Sequence, residues 1–488
     1  MSHELAKING EIASLIRVLS QTPDGHPNMP LLLACLGSSH KKRFNSLHEL
    51  GDLEKAIEYR TITLILTPDN DPGISELLFG LAAVHCQRCQ RPGDLYDMEK
   101  AIEYGHISVD LATDDDPALP LRLANLGTSY SVRFEHLGQT TDLEDAIRYR
   151  SRAVALTPNG HPHLPGILNN LGVSHKIRFK HLGELNDIEK AIEYEVRALS
   201  LAPDGHPDLP GVLQSLGTAY SERFARLGEL SDLEKAMEYK SRAFTLTPFE
   251  DPDLPSRLMN LGVSHRDLFE RLGGLNDLEN AIDRNFLAVS LTPEGHPDLS
   301  SRLEHLGLSH HGRFERLGKL SDLENAIACQ SRALALTPDG HPDLLIRLSN
   351  LALLCCGRFK CLGEPRDLEN AINYESRALT LAPDGHLAAP KVQFNHAQTY
   401  LLYYQQTQDR SHLRYSLDLF RSASQSASGA PRDKFGNARV WAKTASIHDR
   451  SSCIEAYRTA IDLLPQCIWL GATTNQRYRD LSMVKILP

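Results

Sequence analysis

Histidine followed by proline recurs at a fixed spacing of 45 residues, and stacked histidines are typical metal ligands. The slots in this register are His26, Asp71, Asp116, His161, His206, Asp251, His296, His341 and His386, and all but the last precede a proline. Zinc needs ligand atoms about 2 Å from one ion, whereas packed helices lie about 8–10 Å apart. Aspartate and histidine can both cap a helix that has proline in its first turn. The pattern therefore predicts helix caps, with no metal and no other cofactor.

A second slot in the same register exchanges histidine with tyrosine and cysteine. Its members are His40, His85, Tyr130, His175, Tyr220, His265, His310, Cys355 and Tyr400. Helix packing allows such an exchange, whereas catalysis would not. Among nine cysteines, Cys86 and Cys89 form one Cys-x-x-Cys pair, but no second pair completes a four-ligand zinc site. We expect reduced, packed thiols in a cytosol-like compartment.

Paired carboxylates occur in the tripeptide Asp-Leu-Glu and its near copies. These begin at Asp52, Asp97, Asp142, Asp187, Asp232, Asp277, Asp322 and Asp367. A catalytic pair would not need to recur eight times for one active site. Thr141, Ser231 and Ser321 each precede a glutamate by three residues, as in a capping box, and Asn186 and Asn276 are other good N-caps. We predict that these residues cap a helix whose dipole favours the aspartate.

Arginine recurs just before a phenylalanine, in a ladder that could bind an acidic peptide. Its members are Arg43, Arg133, Arg178, Arg223, Arg313 and Arg358. An acidic helix start follows each arginine closely in sequence. We predict local ion pairing, or capping of carbonyls at a helix C-terminus, for these arginines.

Each 45-residue unit contains two apolar stripes of helical period. In the unit 209–248, the first stripe includes Leu213, Leu216 and Tyr220, and the second runs from Leu233 to a proline at 248. We call these helix A and the shorter helix B. A Leu-Gly pair between them suits a left-handed C-cap. Since one hairpin cannot bury its apolar face alone, the repetition predicts an all-α, right-handed solenoid of stacked helical hairpins.

The composition restricts the class of partner. The chain has 62 acidic and 52 basic residues, a net charge of −10, which is the wrong sign for binding nucleic-acid phosphates. The first twenty residues lack the uninterrupted apolar core of a secretory signal, and no apolar run approaches the ~18 residues of a membrane span. We expect a soluble cytoplasmic protein without a nucleic-acid or membrane partner.

The repeat resembles the tetratricopeptide (TPR) family. Leu213-x-x-Leu216-Gly217-x-x-Tyr220 has the spacing of the family's helix A signature, and Ala236, Ala243 and Pro248 match its helix B. The family's unit is shorter, about 34 residues, and Lys240 stands where it expects an aromatic residue. We assign a half repeat to 1–27, eight repeats to 28–390, a degenerate repeat and linker to 391–430, and a helical segment with Trp441 and Trp469 as packing anchors to 431–488.

The 45-residue variety looks most like arrays of filamentous and mushroom-forming fungi. Such arrays commonly precede a caspase-like CHAT peptidase domain, and the segment 460–471 resembles the connector before it. Because the sequence ends at Pro488, we expect no such domain in this chain.

Solenoids of this kind bind partners on a concave face lined by helix A. Projected from the family pattern, the partner-binding slots are Asn169, Val173, Lys176, Gln214, Thr218, Ser221, Glu222, Met259, Val263, Arg266, Glu304, Leu308 and His311. We predict a scaffold or sensor arm that binds a protein or peptide there and has no catalytic residues. The alternatives are a regulatory fragment of a CHAT-type assembly and an enzyme with a site in the tail at 390–488. Self-association is left open.

Overall fold

The computed structural model describes residues 2–23, 25–47, 49–68, 70–89, 95–113, 115–382, 385–386 and 388–469, with side chains from residue 5 to residue 466. Every regular element within these ranges is an α-helix, and there are 21 of them. No helix in this part of the chain is long and apolar enough to cross a membrane. The chain forms two compact units, Met1–Asn260 and Leu261–Pro488.

The first unit contains eleven helices and the start of a twelfth. They are α1 (Ser2–Gln21), α2 (Met29–Leu47), α3 (Leu50–Leu66), α4 (Ile74–Arg88), α5 (Leu95–Asp110), α6 (Leu119–Leu137), α7 (Thr140–Leu156), α8 (Leu164–Leu182), α9 (Leu185–Leu201), α10 (Leu209–Leu227), α11 (Leu230–Thr245) and α12 (Leu254–Leu272). From α2 onward, each even-numbered helix up to α10 packs most closely on the next helix as a hairpin.

The second unit continues the same arrangement. Its helices are α13 (Leu275–Ser290), α14 (Leu299–Leu317), α15 (Leu320–Ala335), α16 (Leu344–Leu362), α17 (Pro365–Leu381), α18 (Ala389–Thr407), α19 (Arg410–Gln425), α20 (Pro431–His448) and α21 (Arg450–Trp469). Hairpins pair α14 with α15, α16 with α17, α18 with α19 and α20 with α21. The prediction of an all-α fold built from stacked helical hairpins is confirmed.

The hairpin α10–α11 shows why the sequence folds in this way. Leu213 and Leu216 on α10 and Leu233 on α11 are fully buried, so the two predicted stripes face each other. Helix A ends at Gly228, whose φ of +73° is left-handed, and the Gly228 N–H donates to Phe224 O at 2.7 Å. A side chain at this φ would be strained. In α18–α19, Gln408 occupies the same slot with φ of +58°.

The predicted caps of helix B are wrong. Helix α11 begins at Leu230, after Glu229, and no side chain caps it. Ser231 lies inside the first turn and is exposed. The helices that contain Thr141, Asn186, Asn276 and Ser321 likewise begin earlier, without a side-chain cap. Instead the Asp232 N–H closes the first turn on Glu229 O at 3.0 Å.

The aspartate that follows is buried and paired with the arginine nine residues before it. In α10–α11, Arg223 donates from Nε to Asp232 Oδ2 at 2.9 Å and from Nη2 to Oδ1 at 2.6 Å. The same pair closes seven hairpins in the described ranges: Arg43–Asp52, Arg88–Asp97, Arg133–Asp142, Arg178–Asp187, Arg223–Asp232, Arg313–Asp322 and Arg358–Asp367. The predicted local ion pairing is confirmed. The ladder also includes Arg88, which sequence reasoning missed because a cysteine follows it.

The second histidine slot adds a partner to this carboxylate. His175 Nδ1 lies 2.9 Å from Asp187 Oδ1. Burial opposes ionisation of Asp187, but hydrogen bonds from Arg178 and His175 outweigh it and lower its pKa. Where the slot holds Tyr220, that ring stacks on Tyr239 with centroids 5.8 Å apart. The exchange of histidine with tyrosine thus reflects packing, as predicted.

The histidine before proline caps a turn that precedes helix A. His206 Nδ1 accepts from the Asp208 N–H at 3.1 Å, and helix α10 starts only at Leu209. Pro210, rather than Pro207, lies in the first turn of the helix, so the predicted position was wrong. Asp116 accepts from the Ala118 N–H at 2.8 Å in the same way, which explains why aspartate replaces histidine. Within the described ranges no three metal-ligating side chains lie close enough to hold an ion.

The C-terminal part keeps the hairpin pattern further than predicted. Helices α18 and α19 span most of residues 391–430, the segment assigned to a degenerate repeat and linker, and only residues 426–430 connect α19 to α20. Trp441 is fully buried and donates from Nε1 to Ser452 Oγ at 2.8 Å, which confirms it as a packing anchor. The Trp469 side chain, Pro383 and the connector residues 470–471 lie outside the described residues.

We expect the closing pair, and not the predicted cap, to stabilise the hairpin. Asp232→Ala should lower the free energy of unfolding by about 2 kcal/mol, since it removes a buried partner of an arginine that is itself partly exposed. Ser231→Ala, its neighbour, should change it by less than about 0.5 kcal/mol. Urea unfolding followed by circular dichroism checks both. Equal midpoint shifts for the two variants would contradict this account.

Candidate functional site

One position of helix B carries, in most repeats, a polar side chain that packs against helix A of the same hairpin. We call it the polar slot; its members are Arg60, Gly105, Arg150, Glu195, Lys240, Asn285, Gln330, Glu375 and Phe420. Glu195 is fully buried and Lys240 is 3% exposed. A glycine on helix A makes room, since a Cβ on Gly217 would lie 2.7 Å from Lys240 Cγ. This is the slot where the sequence has lysine in place of the family's aromatic residue.

Polar-slot side chains on helix B contact some of the predicted partner-binding residues on helix A. Glu195 Oε1 lies 2.9 Å from Lys176 Nζ, and the same ammonium donates to Ser215 Oγ at 2.6 Å. Burial raises the pKa of Glu195, and the positive charge of Lys176 opposes that rise. Lys176 is 6% exposed. Lys176 is therefore buried between helices and exposes little surface that a partner could contact.

Other predicted slots of the first unit also have partners within the chain. Lys240 Nζ donates to Ser221 Oγ at 2.8 Å, and Glu222 pairs with Lys180 at 3.0 Å. Thr218 donates to Gln214 O at 2.9 Å. Three further slots are half-buried: Asn169, Val173 and Met259.

The slots of the second unit are engaged in a similar way. Glu304 accepts from Arg347 Nε at 3.1 Å, and Arg266 lies 3.6 Å from Glu270. His311 Nε2 is 3.9 Å from Glu315. Val263 and Leu308 are half-buried. A role in partner binding stays a prediction for all thirteen slots.

A cleft of about 970 Å³ opens between α18 and α20 in the second unit. Its walls come from α18, α20, the connecting loop and one residue of α21. The lining residues are Pro390, Lys391, Phe394, Asn395, Gly429, Arg432, Asp433, Gly436, Asn437, Arg439, Val440, Lys443, Ser446 and Tyr457. Its volume lies at the upper end of the range of about 300–1,000 Å³ that is typical of small-ligand pockets.

The cleft uses the same helix A slots as the sequence prediction, but in later repeats. Phe394 lies five periods of 45 residues after Asn169, and Arg439 and Lys443 lie five periods after Gln214 and Thr218. The projection stopped at His311, and the repeat motifs decay beyond residue 383. Continuing the 45-residue count through the tail would have found these positions.

The polar slot beside the cleft holds an apolar residue. In this repeat the slot holds Phe420, which is fully buried and packs edge-on against Phe394 with ring centroids 5.5 Å apart. A phenylalanine has no polar group that could form a hydrogen bond or an ion pair with helix A residues. In the part of the chain that the structure describes, no ion pair joins Lys391, Arg439 or Lys443 to another residue, in contrast to Lys176 and Glu304. These three cations face the cleft without a carboxylate partner.

The chain is similar to several solved structures at low sequence identity. No family model matches the chain, and no curated protein matches it. Among solved structures, a monomeric mutant of IFIT1 with Gppp-AAAA is 12% identical over 94% of this chain and 95% of that chain, with a TM-score of 0.48. A tetratricopeptide repeat protein from Parabacteroides merdae is 13% identical over 67% of this chain and 98% of that chain, with a TM-score of 0.40. TTC0263, a thermophilic TPR protein of Thermus thermophilus, is 19% identical over 45% of this chain and 96% of that chain, with a TM-score of 0.33. The structural neighbours include TPR-like repeat proteins, and no statement about a ligand rests on them.

We expect Lys176 to act as a structural residue. Lys176→Met should cost about 3 kcal/mol of unfolding free energy, because it leaves the Glu195 carboxylate buried without its counter-charge. Adding Glu195→Gln should restore most of that loss, since Gln330 shows that the polar slot accepts glutamine. Urea unfolding of both variants checks this. Additive losses in the double variant would contradict it.

We also expect stability to fall in mild acid because of His305, a half-buried residue on α14. Burial, together with the positive charges of Arg266 and Arg347, lowers its pKa from 6.5 to about 4. As the pH falls from about 6.5 to 4, the unfolded chain binds this proton first, so the free energy of unfolding falls, by up to about 3 kcal/mol. His305→Gln should flatten this part of the curve of urea midpoint against pH. An unchanged curve would contradict the assignment.

Proposed function

We propose that this chain is a non-catalytic scaffold that binds a protein or peptide segment through its helix A face, with the cleft between α18 and α20 as the principal site. The observation that carries the proposal is the cleft itself. It lies on the helix A slots predicted for partner binding, and within the described residues no ion pair engages Lys391, Arg439 or Lys443 on its walls. The narrower proposal of an arm in a CHAT-type assembly rests on sequence resemblance alone and would use the same surface.

Cys355, Cys356 and Cys453 are poor candidates for a catalytic nucleophile. A nucleophilic cysteine needs a lowered pKa and access to substrate. Burial raises the pKa of Cys355 to about 11 and that of Cys356 to about 12. Cys453, near His448 in the tail, packs into the apolar cluster around Trp441. None of these three thiols has the environment of a nucleophile.

The cleft is open to solvent, and this favours a segment of another chain as the ligand. A small molecule is usually held in a pocket that buries most of its surface. Here the walls are two parallel helix faces, and Lys391, Arg432 and Lys443 are exposed on them. A peptide can extend along such a groove and leave it at either end.

Filling the cleft should abolish binding without harming the fold. Gly436 lies within α20 and lines the cleft, and a Cβ there would meet no other atom within 4 Å. Gly436→Leu should therefore project into the cleft and also stabilise the helix by up to about 1 kcal/mol. Peptides selected from an unbiased displayed library should lose about tenfold or more in affinity for this variant, as measured by fluorescence anisotropy.

Gly211→Leu is a matched control. Gly211 lies five periods earlier, on α10, and is half-buried with the same open space around its Cβ. It should leave the affinity of the selected peptides unchanged. Failure to select any peptide, or equal binding by wild type and Gly436→Leu, would overturn the proposed function.

A further inference from the structure

We propose that the α18–α20 cleft recognises an extended acidic peptide in which two carboxylate side chains are separated by one apolar residue. The carboxylates would contact Arg439 and Lys443 on α20, and the apolar side chain between them would contact Phe394 on the opposite wall. This inference rests on the proposed function, that the cleft binds a peptide, and it names the chemistry of that peptide.

The first argument is the local reversal of charge. The chain as a whole carries a net charge of −10, yet the cleft is lined by four basic residues and one acidic residue, Asp433. Arg432 already takes part in another interaction, which leaves Lys391, Arg439 and Lys443. Elsewhere on helix A, several basic side chains have carboxylate partners, as in Arg223–Asp232 and Lys176–Glu195. A ligand with negative charge would supply the partners that these three cations lack among the described residues.

The second argument is the apolar surface beside these cations. Phe394, Val440 and Tyr457 line the cleft and are half-buried. Phe394 is held in place from beneath by Phe420. Aromatic side chains that are fixed in a groove are typical anchors for a partner's apolar residue. A ligand that offered only charge would leave this surface uncovered.

The third argument is spacing. Arg439 and Lys443 are four residues apart on one helix, so they lie about 6 Å apart along its axis. In an extended peptide, side chains two residues apart point to the same side at a separation of about 6.6–6.8 Å, and the one between points to the other side. Two acidic side chains can therefore meet both cations. The residue between them faces α18, where Phe394 and Lys391 lie.

Two other occupants fit less well. The sequence at 470–488 contains three basic residues, Arg477, Arg479 and Lys485, but only one acidic residue, Asp480. It therefore has the same positive sign of charge as the cleft and does not complement it. Single-stranded nucleic acid also combines charge with stacking bases, but its affinity depends on a groove of positive charge along the backbone. The cleft has only three cations that lack a partner among the described residues, which is too few to follow a nucleic-acid backbone. An acidic peptide needs only two ion pairs and one apolar contact.

The test is fluorescence anisotropy with a labelled Gly/Ser-rich peptide that contains Asp-Leu-Asp. The full chain should bind it, and competitors with Asn-Leu-Asn or with Asp-Asp-Leu in the same frame should compete about tenfold less well. Arg439→Glu and Lys443→Glu should each weaken binding by about tenfold or more. Arg458→Glu is the matched control, because Arg458 is exposed on α21 next to Tyr457 but does not line the cleft. It should have little effect.

A charge exchange makes the test independent of folding. Lys443→Glu should regain affinity for a peptide in which one of the two aspartates is replaced by lysine. Equal binding of the Asp-Leu-Asp and Asn-Leu-Asn peptides would overturn the inference. Tighter binding of a single-stranded RNA, or of a peptide with the sequence of residues 470–488, would also overturn it. If neutral peptides bind and respond to Gly436→Leu while the acidic peptide does not bind, the inference fails but the proposed function stands.

Discussion

The buried ion pair between the end of helix A and the start of helix B is the constraint on which each hairpin depends. A carboxylate such as Asp232, which is 3% exposed, cannot be buried at low cost unless a positive partner with hydrogen-bond donors accompanies it. Arg223 supplies two donors in a planar fork, so it fixes both the distance and the orientation of the two helices. The left-handed glycine between them sets the turn. Because pair and turn recur every 45 residues, successive hairpins have the same shape and can stack.

One hairpin shows what happens where the arginine is missing. In the described part of α12–α13, Leu268 stands in the arginine slot, and the carboxylate of Asp277 is 24% exposed, compared with 4% for that of Asp232. His265 Nδ1 still approaches it at 3.3 Å. The aspartate thus remains close to water when its main partner is absent, as expected if burial of this group depends on the pair.

The residue in the polar slot determines which helix A side chains have a partner within the hairpins. A charged or amide side chain in the slot bonds to helix A residues and uses their hydrogen-bonding capacity, as Glu195 does with Lys176 and Ser215. Phe420 fills the same space with an apolar ring, which packs against Phe394 on the wall of the cleft. Variation at one buried position can therefore change which helix A side chains have a partner within the hairpins.

The sequence alone determined the helices, their pairing and the glycine that ends helix A, since these depend on local periodicity and on backbone conformation. It also predicted the ion pairing of the arginine ladder. It placed the caps of helix B wrongly, because a serine three residues before a glutamate is compatible both with a cap and with a position inside the first turn. Only the tertiary structure decided between them, by showing that the neighbouring aspartate is buried beside Arg223. It likewise showed that Lys176 is buried against Glu195 of another helix, whereas Lys443 is exposed on the wall of the cleft; neither environment follows from the residues next to these lysines in the chain, because both depend on how separate helices pack.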